Sequence, residues 1–493
     1  MGIKHFYSWF RKSEDLKKSI SPMTPGHVDH LLIDMNGVIH EAAQRVFKYG
    51  KYAPKKPGII IPKRRMQSKP GIKKHTPKPP SVSELYDCVK SEVNTLVDIA
   101  KPKQTIYLAI DGVAPMSKQN QQRQRRFRAA KERKEKESFD STCITAGTEF
   151  MWELAQALAS ERWVASNVKV IISDDSQPGE GEHKLMEWIR SHDGEEDVYC
   201  VVGMDADLIL LCCVLQKSHV YIMREDERRS YDYIDIHKVR QELPVRPEDL
   251  LIWSCFVGND FLPPIPSLEI KESAPEMGAL DFFFQNYRHP LVNKKNGYLN
   301  PNEIIRLLRL VRDREQSIME ARHKDESDED DYNKRFPNTL WEGDIQKYRT
   351  VHRAQKIEKY QSITDDDLVY DFLKTVQWIF LYYTKGIHAT KSWNWFYPYN
   401  YALHADAFVR CIEERRILSY GFKRSEPSHP HEQLLRVIPV SSKYLIPSYL
   451  AEYVDKLAAQ YTTFEIDKSG KRQEWEAVTI VDFVTLDPGI VRK

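Results

Sequence analysis

Val198-Tyr-Cys-Val-Val-Gly-Met-Asp205-Ala-Asp207-Leu-Ile-Leu-Leu-Cys-Cys-Val-Leu215 is the stretch that decides the fold. A short β-favouring run ends in glycine, two carboxylates follow, and a longer apolar run of helical character begins. The same unit recurs upstream. His30-Leu-Leu-Ile closes on Asp34, Thr105–Ile110 closes on Asp111, and Val168–Ile172 leads through Pro178-Gly-Glu180-Gly-Glu182 into another helix. Between these strands the spacing predicts helices over Val82–Ala100, with a Ser81/Glu84 capping box, and over Lys118–Glu137, Thr148–Ser160, Glu182–Ser191 and Asp205–Gln216. Val220–Met223 is one more strand. Strands alternating with helices argue for an α/β fold, a mostly parallel twisted sheet with helices on both faces. The strand carboxyl ends of such a sheet share one rim, and ligands bind there.

Seven acids fall at or near that rim: Asp34, Asp111, Glu180, Glu182, Asp205, Asp207 and, from Val257-Gly-Asn-Asp260-Phe-Leu-Pro, Asp260. Taken singly, an Asp after a strand is most often a helix cap or turn residue. Recurrence at equivalent strand ends is what points further, because so many carboxylates together repel unless cations neutralise them. They have no Cys or His partner at metal-ligand spacing, so the oxygen-only set favours Mg²⁺, with Mn²⁺ as a substitute, over Zn²⁺. Two such ions about 3.5–4 Å apart can activate a water and stabilise the departing oxygen in phosphodiester cleavage.

A second motif follows the Asp111 strand: Lys118-Gln-Asn-Gln-Gln122-Arg-Gln-Arg125-Arg126-Phe-Arg128. On a helix Lys118, Gln122, Arg125 and Arg126 share one face. A solvated basic face is the ordinary reading of an Arg-rich helix. Gln donors interleaved with Arg forks, near a helix start whose dipole favours anions, suit a terminal phosphate better. A third block, Trp393-Asn-Trp395-Phe-Tyr397-Pro-Tyr399-Asn-Tyr401, reads first as packed core or domain junction. An exposed ring in it would stack a base at about 1–3 kcal/mol.

The totals set bounds. The chain has 493 residues, 41% hydrophobic and 29% charged, with a net charge of +2. That length suggests two or three domains. Seven cysteines without a Cys-x-x-Cys pair point to reduced thiols in an intracellular protein. Met1–Phe10 does not read as a secretory leader, and no apolar run approaches membrane-spanning length. P-loop, Gly-x-Gly-x-x-Gly and Gly-x-Ser-x-Gly signatures are missing. Ala42–Ser83 carries twelve Lys/Arg, seven Pro and no acid, and reads as an extended basic loop. Its role is a solvated insertion, a nucleic-acid grip or a nuclear-import signal, so a cytoplasmic location is read with a nuclear one as the alternative. Asp325–Asp331 has six acids in seven residues and reads as a disordered loop tip. The expected division is a catalytic core over 1–270 with the insertion at 42–83, a helical connector over 271–360, and a helical, aromatic-rich segment over 361–493 that packs on the core.

Together these motifs resemble the XRN family of 5′→3′ exoribonucleases. Asp34-Met-Asn-Gly-Val-Ile-His40, Ala109-Ile-Asp-Gly-Val-Ala-Pro115 with Asn120–Phe127, Pro178–Lys184, Gly203–Ile209 and Val257–Leu268 match its motifs in order. Glu432–Leu435 and Gln473–Val478 match later segments. The resemblance implies a compact member without the long C-terminal extension. Its nuclease core would be related to flap-nuclease and PIN-like folds and followed by a largely helical segment. It further implies that the seven acids ligate or support two Mg²⁺, that Lys118, Gln122, Arg125 and Arg126 hold an RNA 5′-monophosphate, and that His40 stacks the first base opposite Trp393, with Trp395 as fallback. The substrate would be single-stranded RNA with a 5′-monophosphate, degraded to mononucleotides in RNA decay or processing. The rival readings are a structure-specific flap-type DNA nuclease and a catalytically inactive RNA-binding scaffold.

Overall fold

The computed structural model describes residues 2–53, 80–133, 139–161, 163, 168–192, 194, 196–226, 230–272, 278–328, 330, 334–359, 362–415, 420–458, 464–484 and 486. Seven strands form one sheet: β1 (Ile20–Ser21), β2 (His30–Asp34), β3 (Thr105–Ala109), β4 (Lys169–Ser173), β5 (Tyr199–Val202), β6 (Val220–Glu225) and β7 (Tyr231–Asp235). Their spatial order is β1-β7-β6-β5-β2-β3-β4. The five strands from β6 to β4 are parallel, as the alternation predicts, while β7 and β1 add an antiparallel edge that the sequence reading missed. The chain runs outward from β2 through β3 to β4, then returns to the other side of β2 as β5. The β2/β5 boundary is therefore the topological switch point, where an α/β sheet opens a crevice at its carboxyl end.

The two-residue period of β2 splits the core. Leu31 and Ile33 pack on one face with the Met35–Phe47, Val82–Ala100 and Glu149–Ala159 helices. Leu32 packs on the other with the Leu208–Val214, Pro247–Val257 and Asp365–Lys385 helices. That second cluster runs from Ile3 to Tyr420, so the later helical part of the chain shares its core with the sheet. Burying each such Leu or Ile contributes about 1.5–3 kcal/mol. A two-stranded antiparallel sheet, β8 (Phe464–Asp467) with β9 (Val478–Val481), forms separately near the end of the described residues.

Four expectations need correction. The Met35–Phe47 helix runs into the Lys/Pro-rich region, because Ile39, Ala42, Ala43 and Phe47 give it a buried stripe. The next helix starts at Val82, and residues 54–79 of that region lie outside the described residues. The basic helix spans Met116–Glu132, and residues 134–138 of its expected end lie outside the described residues. Asp325 is no disordered tip: it is buried and pairs with Arg335 and Arg472. The helix after β5 begins only at Leu208, which leaves Asp205 in the connecting loop and Asp207 at the cap. No helix among the described residues is long and apolar enough to cross a membrane. All seven cysteines are free.

Candidate active site

The sheet brings the acids together as follows. Asp34, last residue of β2, caps the Met35–Phe47 helix by accepting from the Asn36 N–H. Asn36 then reaches across to β3: its Nδ2 donates to Asp111 Oδ2 at 2.6 Å, and its Oδ1 accepts from the Asp111 N–H. Gly181, opening the Gly181–Ser191 helix, donates its N–H to Asp111 Oδ1 at 2.6 Å. A Cβ on Gly181 would stand 2.8 Å from Asp34 Oδ1 and 3.3 Å from Asp111 Oδ1, so only glycine lets these carboxylates close on the helix start. Oxygens of Glu182, Asp205 and Asp207 lie within 4.8 Å of one another. Asp260 enters from the loop after the Pro247–Val257 helix and accepts from the Gly2 N–H at 2.9 Å.

The electrostatics record the crowding. Burial, then Asp111 and Asp205, push the Asp34 carboxyl well above its usual range. Burial and Asp207 do the same to Glu182, and burial with Asp260 and Asp205 raises Asp207 to about 6. Burial also raises Glu180. Asp205 and Asp260 are held low despite burial by neighbouring positive charge, Lys118 included. Oδ1 of Asp207 is buried without a hydrogen-bond partner. An oxygen-only set with raised pKa values and an orphaned acceptor fits hard divalent cations of the Mg²⁺ type.

Sequence reasoning placed Lys118 with the phosphate pocket. The structure places its ammonium among the acids, 2.8 Å from Glu180 Oε2 and 2.9 Å from Asp260 Oδ2, as a built-in counter-charge. Two residues went unread. Tyr382 donates to Glu180 Oε1 at 2.8 Å and Tyr383 to Asp207 Oδ2 at 3.2 Å, both from the Asp365–Lys385 helix. No local signal marks them, since both sit in an apolar helical run. Asn36 could have been found, because it lies inside the Asp34-Met-Asn motif.

The Met116–Glu132 helix divides its polar side chains three ways. Gln119 and Arg123 are buried braces: Gln119 donates to the Ala114 carbonyl, and Arg123 to the carbonyls of Asp482 and Arg436. Arg128 donates to the Glu474 carbonyl near β9. Gln122, Arg125 and Arg126 make up the remaining face, with Arg125 exposed. Gln122 Oε1 and Arg126 Nη1 are buried without partners. Burial and the like charge of Arg125 depress the Arg126 guanidinium to about 9. The helix start itself is less open to anions than the sequence suggested, because the Trp393 carbonyl takes the Met116 N–H at 2.8 Å. His40 is half-buried beside this face. Burial, Arg125 and Arg126 push it down to about 3, while Asp205 pulls it up, so it feels both the basic face and the acids.

Trp393 is not available as an open stacking surface: the residue is 7% exposed, and its backbone N–H donates to Ser425 Oγ. Trp395 lies half-buried against Lys374, with Nε1 donating to Thr375. Neither indole makes a ring contact with His40. Among the described residues Trp475 is an exposed aromatic, 55% exposed and 5.1 Å from the His5 ring. It lines a cavity of about 460 Å³ that also touches Arg125, Arg128, Asp260 and Tyr399.

Comparisons with known proteins place the chain in a family. A family model described as the XRN 5′-3′ exonuclease N-terminus matches residues 1–226, and one described as the Xrn1 helical domain matches 248–338 and 310–487. Human 5′-3′ exoribonuclease 1 is 26% identical over 98% of this chain and 33% of its own length. The Schizosaccharomyces pombe 5′-3′ exoribonuclease 1 is 23% identical over 98% of this chain and 48% of its own. The chain thus spans between a third and a half of these two relatives. A solved structure of the catalytic core of Rad2 with DNA substrate overlaps 78% of this chain and 87% of its own, at 13% identity and a TM-score of 0.38. With its acids gathered at the switch point and two family models spanning most of its length, the chain belongs to the XRN family of 5′→3′ exonucleases.

Proposed function

We propose that this protein hydrolyses single-stranded RNA bearing a 5′-monophosphate from the 5′ end, one nucleotide at a time, in RNA decay or processing. The observation that carries the reading is the adjacency, through His40, of a buried, mutually repelling acid cluster and the Arg126 guanidinium, whose Nη1 is buried without a hydrogen-bond partner. The first calls for cations and the second for an anion. A nucleic-acid strand that begins in a phosphate satisfies the second and presents its next phosphodiester to the first. Sequence relatives named exoribonucleases support RNA as the substrate.

In this reading Asp34, Asp111, Glu180, Glu182, Asp205, Asp207 and Asp260 hold or support two Mg²⁺, which Mn²⁺ can replace. When bound, these ions supply Lewis-acid stabilisation and an activated water for phosphodiester cleavage. Gln122, Arg125 and Arg126 clamp the terminal phosphate, and Arg forks give the contact direction. Lys118 sits between the acids and that phosphate and carries positive charge toward both. A capped or triphosphate end would overfill the clamp. His40 stacks the first base, and Trp475 offers a second ring along the cleft for bases further down the strand. Tyr382 and Tyr383 keep Glu180 and Asp207 oriented.

The test is degradation of end-labelled RNAs carrying 5′-monophosphate, triphosphate or hydroxyl, with Mg²⁺ or a chelator. Selective loss of the monophosphate RNA, only with metal, is the expected outcome. Equal degradation of all three, or activity that survives chelation, refutes the reading. Preference for a labelled DNA flap would favour a structure-specific DNA nuclease. Tight RNA binding without hydrolysis would favour an inactive scaffold.

A further inference from the structure

At the opposite end of the sheet from the acids, His30, His192 and Asp197 converge. His30 opens β2, His192 caps the C-terminus of the Gly181–Ser191 helix, and Asp197 stands just before β5. Both imidazoles aim Nε2 at one carboxylate oxygen: Asp197 Oδ2 is 3.0 Å from His30 Nε2 and 3.5 Å from His192 Nε2. Donors about 2.0–2.1 Å from a tetrahedral Zn²⁺ lie about 3.3 Å from one another, so these separations bracket the required edge.

The surroundings hold the donors in place. Gln104 Nε2 donates to Asp29 Oδ1 at 3.1 Å and to Asp197 Oδ1 at 3.5 Å, leaving Oδ2 turned to the imidazoles. The His30 ring stacks on Tyr199 and the His192 ring on Trp188, with centroids 5.1 and 4.6 Å apart. Such outer contacts are what orient metal ligands. His30 Nε2 makes a hydrogen-bond contact with Asp197 Oδ2 while Nδ1 has no partner, so an ion bound at Nε2 takes the place of that hydrogen bond and leaves the ring proton on Nδ1. His30 is 1% exposed in its side chain, whereas His192 and Asp197 are 36% and 23% exposed. One side of the triad therefore faces solvent, leaving room for a water as fourth ligand.

We propose that His30, His192 and Asp197 form a second metal site, specific for a borderline transition ion of the Zn²⁺ type and distinct from the oxygen-only acid site. Two imidazole nitrogens with one carboxylate oxygen suit Zn²⁺ and are poor ligands for Mg²⁺. The site is structural. It ties the start of β2 to the end of the Gly181–Ser191 helix, two elements whose other ends carry Asp34, Glu180 and Glu182. Ion binding there fixes the far ends of the elements that aim the acids.

The experiment measures Zn²⁺ retained after gel filtration in excess Mg²⁺, with the Zn²⁺-induced shift in unfolding temperature as a second readout. The wild type and the acid-site variant Asp205→Asn/Asp207→Asn should each retain a single Zn²⁺ per chain and be stabilised by it. His192→Ala, at a partly exposed position, should bind at least about 100-fold more weakly and show no shift. Asp197→Asn is the second variant, should His192→Ala disturb the fold. Co²⁺ bound to the acid-site variant should give the intense visible bands of a four-coordinate ion, absent in His192→Ala. Zn²⁺ lost with the acids, retained in His192→Ala and Asp197→Asn, or not retained by the wild type overturns the proposal.

Discussion

Replacing Arg126 by Met separates a side chain kept for stability from one kept for a ligand. Its guanidinium is depressed from its ordinary value to about 9 by burial and by Arg125, and its Nη1 has no partner. Below the folded value the group is charged in both folded and unfolded states, so near neutral pH the folded protein bears the full cost of keeping it charged. About 3.5 pKa units at 1.36 kcal/mol each set an upper bound of about 5 kcal/mol. Solvent screening of this half-buried group reduces the expected gain to roughly 1–3 kcal/mol. Arg126→Met preserves length and packing volume, so it should raise the denaturant midpoint. The same variant should lose the 5′-monophosphate preference, because removing one partner of a buried charge pair costs about 2–5 kcal/mol. The ratio of kcat/KM for 5′-monophosphate over 5′-hydroxyl RNA should therefore fall on the order of 100-fold, with hydroxyl-ended RNA little affected. A destabilised variant that keeps the wild-type ratio would show Arg126 to be an ordinary structural brace and refute the reasoning.

Three other outcomes are expected. Asp205→Asn should abolish hydrolysis while RNA binding, measured by gel shift at fixed salt, stays within about threefold, since charge is removed from the acid cluster and not from the basic face. Gly181→Ala, whose Cβ would stand 2.8 Å from Asp34 Oδ1 and 3.0 Å from the Ala109 carbonyl, should cut kcat at least about tenfold and weaken apparent Mg²⁺ affinity, both read from metal titrations of activity. Glu315 is buried between His404 and Arg349, and those partners outweigh its burial to lower its carboxyl to about 2. Its contribution is complete above the unfolded carboxyl value near 4.5 and is lost as pH falls through about 2, an amount of roughly 3 kcal/mol. Glu315→Gln should flatten the acid limb of stability against pH by that amount. An unchanged limb would contradict it.

The sheet was legible in the sequence because its signals are local. The apolar run in His30–Asp34, the capping box at Ser81 and the acid that closes a strand are each written within a few residues. The antiparallel edge was not legible: β1 is two residues long, and its pairing with β7 joins Ile20 to Ile234. Six of the acids could be named because each follows a strand-like run, while Asp260 comes from the loop after the Pro247–Val257 helix. Their actual neighbours could not, because Tyr382 and Tyr383 arrive on a helix some two hundred residues from Glu180 and Asp207.

What the chain by itself determined is therefore the α/β class, the acid set and the basic helix. The tertiary structure alone decided how that helix divides. Arg123 and Arg126, three residues apart and identical in chemistry, take opposite roles because Arg123 meets the carbonyls of Asp482 and Arg436 while Arg126 meets none of its own. It also closed Trp393 to solvent, drew Lys118 in among the carboxylates, and brought His30, His192 and Asp197 to a common point. The physical reason is the same in each case: a side chain's role depends on what desolvates and pairs it, and those partners come from distant parts of the chain that local pattern does not encode.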